Sequence, residues 1–357
     1  MATIVDVAEH AGVSISTVSH VVNGTRPVAE KTRERVLKAI ERTGYRQDTL
    51  ARSLRRSRTD SVGLVVSDAG QPTFAEMVRG VEHEAARAGY TLLLAHSGED
   101  PAQETRAVQA LAARRVDGLI VAPAAGSTGT ETEAVRRSGT PVVILDRLGG
   151  SWSGDQVGVD NTTPMRELVE HLLGHGYRSI ALAAGDLAVS TVAERYRGYA
   201  QALRTAGIEP DPELVLTGSG LAAETRVLAL RLFGGERRPE AVACAGTETA
   251  VGVMSAAAEI GLHIPRDLKL AVFDGFPQAG LFEPRITTVV QPAFDVGATA
   301  MALLLRRVNG ESRAEGEVIR LDPRVVYRTS CGCGAAQPLD RRRERPMPSA
   351  RHQRPTS

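Results

Sequence analysis

Cysteine is nearly absent: the chain has three, Cys244, Cys331 and Cys333, too few for a disulfide framework and in keeping with a reducing compartment. Cys331-Gly332-Cys333 has neither the spacing nor a partner set expected of a zinc site, so it reads as incidental. No apolar run approaches the ~20 residues of a membrane span. The first thirty residues carry Asp6, Glu9 and Glu30 and no apolar stretch, which is not the pattern of a secretory signal, and a cytoplasmic protein is expected. Enzyme signatures are missing too. No G-x-G-x-x-G follows the first aliphatic run, no P-loop occurs, and Gly126-Ser127-Thr128-Gly129 is a glycine-containing loop without a helix start behind it. With no nucleophile–base pair and no metal-ligand cluster in the pattern, neither an enzyme nor a bound metal or cofactor is expected.

Net charge is also nearly absent, at +1, but its distribution is uneven. Residues 1–60 hold eleven basic and seven acidic side chains, a balance of +4; residues 61–330 hold 26 and 33, a balance of −7. A basic amino-terminal segment on an acidic body suggests a polyanion-binding head on a carrier that does not itself bind nucleic acid.

The head is legible in Ile4 to Asn23, IVDVAEHAGVSISTVSHVVN. Ala8 is small where two helices would touch, Gly12 permits a positive φ between them, and Val13 and Val18 fill a shared core. Thr3 followed by Asp6 has capping-box spacing, and Ser14 is placed to cap a second helix starting near Ile15. That helix would present Ile15, Ser16, Ser19 and His20, short or hydrogen-bonding side chains suited to base edges in a major groove. A third amphipathic helix is expected over about Glu30 to Arg42, with Val36, Leu37 and Ile40 inward, ended by Gly44 and packed by Tyr45. Asp48 to Arg56, DTLARSLRR, is too short for an isolated helix, yet Leu50 and Leu54 lie on one face of it, a pattern that wants a partner or a groove.

From Ser61 aliphatic runs alternate with amphipathic stretches, a βα rhythm that argues α/β architecture with parallel sheets covered by helices. About 270 such residues suggest two similar lobes, with a break near Asp160-Asn161 and the last helix and strands returning to the first lobe. Ligands of such folds bind beyond the carboxyl ends of the strands, hence in a cleft between lobes. The sole tryptophan, Trp152, lies in a Gly/Ser-rich loop where packing is the simpler role. The domains expected are a head over 1–47, a hinge over 48–60, a two-lobed core over 61–330 and a disordered tail over 331–357.

The stretches GVSISTVSHVVNGTRPVAEKTRERVLKAIERTGY and ARSLRRSRTDSVGLVV closely resemble the lactose-repressor (LacI/GalR) family of bacterial transcription regulators. The likeness continues through VGVDN (157–161), ERYRGY (194–199), VFDGF (272–276) and TTVVQP (287–292). It implies a helix-turn-helix head, a hinge helix and a two-lobed core like that of periplasmic binding proteins. It also implies a homodimer reading a pseudo-palindromic operator under control of a small-molecule effector. By resemblance, Ile15, Ser16 and His20 face bases, while Thr17, Ser19 and Asn23 meet phosphates or neighbouring bases. Many members carry Arg where this chain has His20, and the purine-repressor branch carries His. Leu54 matches a leucine that wedges into the minor groove from paired hinge helices, an insertion that kinks DNA at a few kcal/mol per step. Arg52, Arg55 and Arg56 would then meet the backbone or groove wall.

In the core the resemblance points to Phe74, Asp146, Arg147, Arg195 and Asp274 around the effector. An aromatic, a forked cation and carboxylate acceptors together suit a sugar. Packing for Phe74 and lobe-bracing salt bridges for the four charged residues are the competing structural roles. Gly246-Thr247 replaces the family's usual Asn-Asp, and Gly220 stands where several members place an aromatic, so an unusual, larger or weakly bound effector is expected.

Overall fold

The computed structural model describes residues 2–23, 26–45, 58–149, 152–276, 278–311 and 316–334. Leu54 and Arg55 of the expected hinge, and the expected tail beyond residue 334, lie outside the described residues. The chain divides into two units, 1–60 and 61–357.

In the first unit, three helices form a small bundle: α1 (Ile4–Ala11), α2 (Ile15–Asn23) and α3 (Glu30–Thr43). Thr3 and Asp6 make the reciprocal capping box, with the Thr3 amide donating to the Asp6 carboxylate at 2.7 Å. Gly12 turns the chain at φ 60°, and the Thr17 amide donates to Ser14 Oγ at 3.2 Å, starting α2. Arg35 of α3 donates to the Gly12 carbonyl at 3.3 Å, so the turn is also tied to the third helix. The core is Val7, Ala8, Ala11, Val18, Val36 and Ala39, with Val13, Ile40 and Tyr45 at its edge. One expectation fails: Leu37 is 50% exposed. At ~100° per residue it turns away from the face shared by Val36, Ala39 and Ile40, and the smaller Ala39 fills the interior instead.

The second unit contains two six-stranded sheets. The first has the order β11-β5-β4-β3-β1-β2, all neighbours parallel, from β1 (Ser61–Val66), β2 (Thr91–His96), β3 (Gly118–Val121), β4 (Val142–Leu145), β5 (Asp155–Val159) and β11 (Val318–Leu321). The second repeats the arrangement as β12-β10-β9-β8-β6-β7, from β6 (Ile180–Gly185), β7 (Val215–Thr217), β8 (Ala241–Cys244), β9 (Lys269–Phe273), β10 (Thr287–Val290) and β12 (Arg324–Val326), with only β12 antiparallel. Central strands such as β3, β4 and β8 are buried along their whole length because helices cover both faces, whereas edge strand β2 is partly open.

Helices α4 (Pro72–Arg87), α5 (Pro101–Ala113), α6 (Thr130–Arg137) and α11 (Ala293–Val308) clothe the first sheet; α7 (Thr162–Gly174), α8 (Ser190–Thr205), α9 (Ala222–Gly234) and α10 (Thr247–Glu259) clothe the second. The chain crosses between lobes three times: at 160–161 after β5, at 291–292 after β10, and at 322–323 between β11 and β12. Thus α11 and β11 return to the first lobe while β12 goes back to the second.

Two expectations are corrected. Gly129, at φ 67°, directly precedes α6, so the 126–129 loop does open a helix. Its interior is occupied by the Glu104 carboxylate, which accepts from the Ala124 amide and from Ser127 Oγ, a fixed negative charge where a phosphate loop needs donors. Residue 331, where a tail was expected to begin, also lies within the folded core. Ser330 and Cys331 are fully buried, and the Ser330 carbonyl accepts from the Leu270 amide of β9 at 2.9 Å. Trp152 packs into the first lobe and donates from its indole to the Asp155 carbonyl at 3.3 Å.

Helices α4 and α11 meet backbone to backbone. A Cβ on Gly80 would lie 2.0 Å from the Phe294 carbonyl oxygen, and one on Gly297 would lie 2.0 Å from that of Met77. Gly297→Ala therefore has to separate the helices and is expected to lower stability by about 1–3 kcal/mol. A urea melt checks this: the midpoint should fall with an unchanged slope, whereas the rise expected of alanine in an open helix would contradict the close approach.

Candidate functional site

On α2, Val18 faces the bundle core with Val21 and Val22 at its edge, which leaves Ile15, Ser16, Ser19 and His20 on the other side of the helix. Ile15 is 48% exposed, Ser16 is exposed, and Thr17, Ser19 and His20 are half-buried. The Ser14 hydroxyl lies 2.8 Å from both Ser16 Oγ and Thr17 Oγ1, a connected set of donors and acceptors on the first turn. Asn23 ends the helix.

In the core, the two aspartates singled out by sequence occupy equivalent places. Asp146 follows β4 and Asp274 follows β9, strands in the same position of the two sheets, and both take left-handed backbone conformations, at φ 66° and 70°. Non-glycine residues in that region cluster at functional sites. The charges of Arg147, Arg195, Asp274 and Glu99 all act on Asp146, so both lobes contribute to one electrostatic environment.

Arg147 is forked onto Glu99, at 2.7 and 2.6 Å, and donates to the Pro123 carbonyl at 2.8 Å. Burial opposes ionisation of Glu99, but the Arg147 bridge outweighs it and holds the carboxyl below its ordinary range. Arg195 is 6% exposed. Its Nε donates to Asn161 Oδ1 at 2.9 Å, its Nη1 to the Ala245 carbonyl and to Asp274 at 3.1 Å, and its guanidinium lies 3.8 Å from the Phe273 ring centroid. Asp274 also accepts from Gln291 Nε2. Phe74 opens α4 just beyond β1 and is 7% exposed, packed in the first-lobe core.

Four further residues complete the arrangement, and Glu99 makes a fifth. Asn161 donates to Glu194 at 3.0 Å, and Arg320 of β11 reaches the same carboxylate at 2.8 and 3.1 Å. The chain Glu194–Arg195–Asp274 is therefore hydrogen-bonded to one residue beside each crossing: Asn161, Gln291 and Arg320. Asn161, Glu194 and Gln291 lie inside the motifs VGVDN, ERYRGY and TTVVQP, which was the available signal; Glu99 and Arg320 carry none. Two buried polar atoms here, Arg147 Nε and Gln291 Oε1, have no hydrogen-bond partner, which is costly unless water or a ligand supplies one.

The two glycine replacements also find their geometry. Gly220 has φ 78° and lies against Gly185, so a side chain there would be strained. Gly246 would meet nothing within 4 Å on gaining a Cβ, and the Thr247 hydroxyl donates to the Gly275 carbonyl at 2.8 Å. Only Gly246 leaves open space where a side chain would stand; Gly220 is fixed by its backbone and its contact with Gly185.

Burial pushes the Asp146 carboxyl above its ordinary range, offset in part by Arg147 and Arg195. A carboxylate with a raised folded pKa costs stability above that pKa and costs none below the unfolded value. Asp146→Asn keeps a side chain that tolerates the left-handed backbone and removes the charge. It should therefore raise Tm at pH 7, with the gain shrinking as pH falls toward 4; an equal gain at both pH values would contradict the burial account.

The model for bacterial regulatory proteins of the lacI family matches residues 3–48, and that for periplasmic binding proteins and the sugar-binding domain of the LacI family matches residues 59–329. The chain is 36% identical over 332 residues to the HTH-type transcriptional repressor PurR of Vibrio atlanticus (strain LGP32), covering 92% of this chain and 98% of that one. It is 36% identical over 342 residues to the repressor of the same name from Yersinia pestis (strain Pestoides F), covering 94% and 98%. Among solved structures, the Lac repressor dimer bound to operator and the anti-inducer ONPF superposes with a TM-score of 0.83 at 26% identity, covering 92% and 99%. A complex of the transcriptional regulator CelR with cellobiose does so at 0.70 and 29% identity, covering 92% and 100%. A helix-turn-helix head on a two-lobed α/β core defines a regulator rather than an enzyme. The chain belongs to the LacI family and is a DNA-binding transcriptional repressor. No helix among the described residues is long and apolar enough to cross a membrane.

Proposed function

We propose that the protein binds a pseudo-palindromic operator as a homodimer in the cytoplasm and is gated by a sugar. Its DNA contacts in this reading are Ile15, Ser16, Thr17, Ser19, His20 and Asn23 from the head and Leu54 and Arg55 from the hinge. Leu281, 86% exposed beside Phe282 on the second lobe, supports self-association, since large apolar side chains grouped at a surface mark interaction sites.

The observation that carries the gating is the bonding of Glu194–Arg195–Asp274 to Asn161, Gln291 and Arg320. A ligand that engages Arg195 and Asp274 must alter the same hydrogen bonds that brace the three crossings, so occupancy is coupled to the angle between lobes. Weakening operator binding a hundredfold requires about 2.7 kcal/mol of differential affinity between the two states.

A sugar is favoured by what the polar groups offer. Asp146, Asp274, Arg147 Nε and Gln291 Oε1 present acceptors and a donor for hydroxyl groups. Phe273 already carries Arg195, Phe74 is packed in the core, and Phe276 lies against Phe282, so these rings are not free to sandwich a flat base. Thermal melts of the full-length protein against mono- and disaccharides and purine bases test this. Saturation at ~100 Kd should add about 2.7 kcal/mol of stability, and the same compound should change operator affinity. A base acting alone would replace the sugar reading; no shift with any compound would sink the gating.

A further inference from the structure

We propose that His171, His175, Cys331 and Cys333 form a structural zinc site that fastens the buried end of the described chain to the second lobe. The site shares no residue with the DNA-reading helix or with the bonding of Arg195 and Asp274, and nothing in the repressor reading requires it.

His171 lies in the last turn of α7 and His175 caps its carboxyl end four residues on, still in helical backbone conformation, which places both rings on one side. Their centroids lie 4.7 Å apart, in an edge-on arrangement. The two cysteines arrive some 160 residues later, after β12, and Gly332 between them makes the approach possible. It takes φ 92°, and a Cβ there would come within 2.5 Å of the Tyr177 hydroxyl. Cys331 Sγ lies 3.3 Å from His171 Nε2, Cys333 Sγ lies 3.3 Å from His175 Nε2 and 3.4 Å from His171 Nε2, and the two sulfurs are 3.3 Å apart. All four atoms fall within 4.8 Å of one another.

The four separations of 3.3–3.4 Å match the edges of a small tetrahedron, and the remaining two, at no more than 4.8 Å, need to close by about an ångström at most. With Zn–S about 2.3 Å and Zn–N about 2.0–2.1 Å, tetrahedral geometry requires ligand–ligand distances of roughly 3.3–3.8 Å. Two thiolates and two imidazoles are a donor set that zinc favours, and four protein ligands close the coordination sphere, as in structural rather than catalytic sites. The surroundings orient the ligands. Thr287 Oγ1 donates to Cys331 Sγ at 3.1 Å, and the His171 ring lies 4.1 Å from that of Tyr327. The one-residue Cys spacing hid this set from sequence inspection, since the partners are supplied by a distant helix.

The test is made on the full-length protein purified without chelator and dialysed against micromolar zinc. One zinc per chain is expected. The cobalt-substituted form should show thiolate-to-cobalt charge transfer and the intense visible bands of a tetrahedral ion. Chelator should lower Tm by on the order of 5 °C or more, with recovery on adding zinc back. The C331S/C333S double variant should retain less than a tenth of the zinc. Should that variant fail to fold, His175→Ala, on the exposed side of the cluster, should keep its circular dichroism and lose the tetrahedral cobalt spectrum. Wild-type protein without zinc, equal zinc in wild type and double variant, or a Cys331–Cys333 disulfide in zinc-treated protein would each overturn the proposal.

Discussion

His20→Ala is expected to weaken binding to the specific operator by about 1–3 kcal/mol, roughly 5- to 150-fold, while affinity for a scrambled duplex changes little. The asymmetry follows from where the residue stands. His20 lies on the side of α2 turned from Val18, so the bundle core keeps its packing without it. Non-specific affinity comes from cations near phosphates and depends on salt, and this substitution leaves those cations in place. Fluorescence anisotropy with both duplexes at one fixed salt concentration checks it. A matching loss on both would mean that His20 serves the backbone or the fold and not the bases. A second variant sharpens the point: Arg at position 20 could grip guanine N7 and O6 together, so His20→Arg should change which base is preferred rather than abolish binding.

Asp274→Asn is expected to leave effector-free operator binding within about threefold of wild type. It should shift the effector response to roughly 10- to 100-fold higher concentration, the size of one lost charge-assisted hydrogen bond. Asparagine is the choice because φ is 70° at this position and alanine would add backbone strain to the lost carboxylate. Arg195 keeps Asn161 and the Ala245 carbonyl as partners, so the buried cation is not abandoned. Arg195→Ala is the harsher change, leaving Asp274 and Asn161 without their partner in a nearly closed environment and costing about 3–5 kcal/mol of stability. If Asp274→Asn responds to effector like the wild type, the aspartate belongs to the bracing alone.

The head was readable to the level of single caps, because local rules decide it. Thr3, Asp6, Gly12, Ser14 and Gly44 act within their own turns, and the structure uses each as expected. Leu37 was misjudged since a one-residue shift around a helix is invisible to a count of apolar positions. In the core, the long aliphatic runs marked β1, β3, β4 and β8, whereas β5 and β10 were hidden in stretches valued only as motifs. Strands were expected after the last helix, but not the departure of β12 to the second lobe, because short edge strands with exposed residues carry no sign of which sheet they join.

The cleft was half legible. Aspartates at strand ends could be picked out, but the partners of the chain Glu194–Arg195–Asp274 stand beside three crossings that only the folded chain brings together. Sequence suggested ligand contact for Arg195, and the structure shows how fully it is engaged within the protein, bonded to Asn161, Ala245 and Asp274 and stacked on Phe273. The cysteine pair failed for the same physical reason. Cys331-Gly332-Cys333 looked solitary because its neighbours in space lie far away in sequence.

The most direct test of the account is selection of bound DNA from a random pool by the full-length protein, with and without the sugar identified by thermal melts. The account predicts enrichment of a pseudo-palindrome whose two halves are equally required, and a change in its recovery when the sugar is present. Enrichment of no site, or of a single asymmetric half-site indifferent to the sugar, would contradict a dimeric repressor gated from its core.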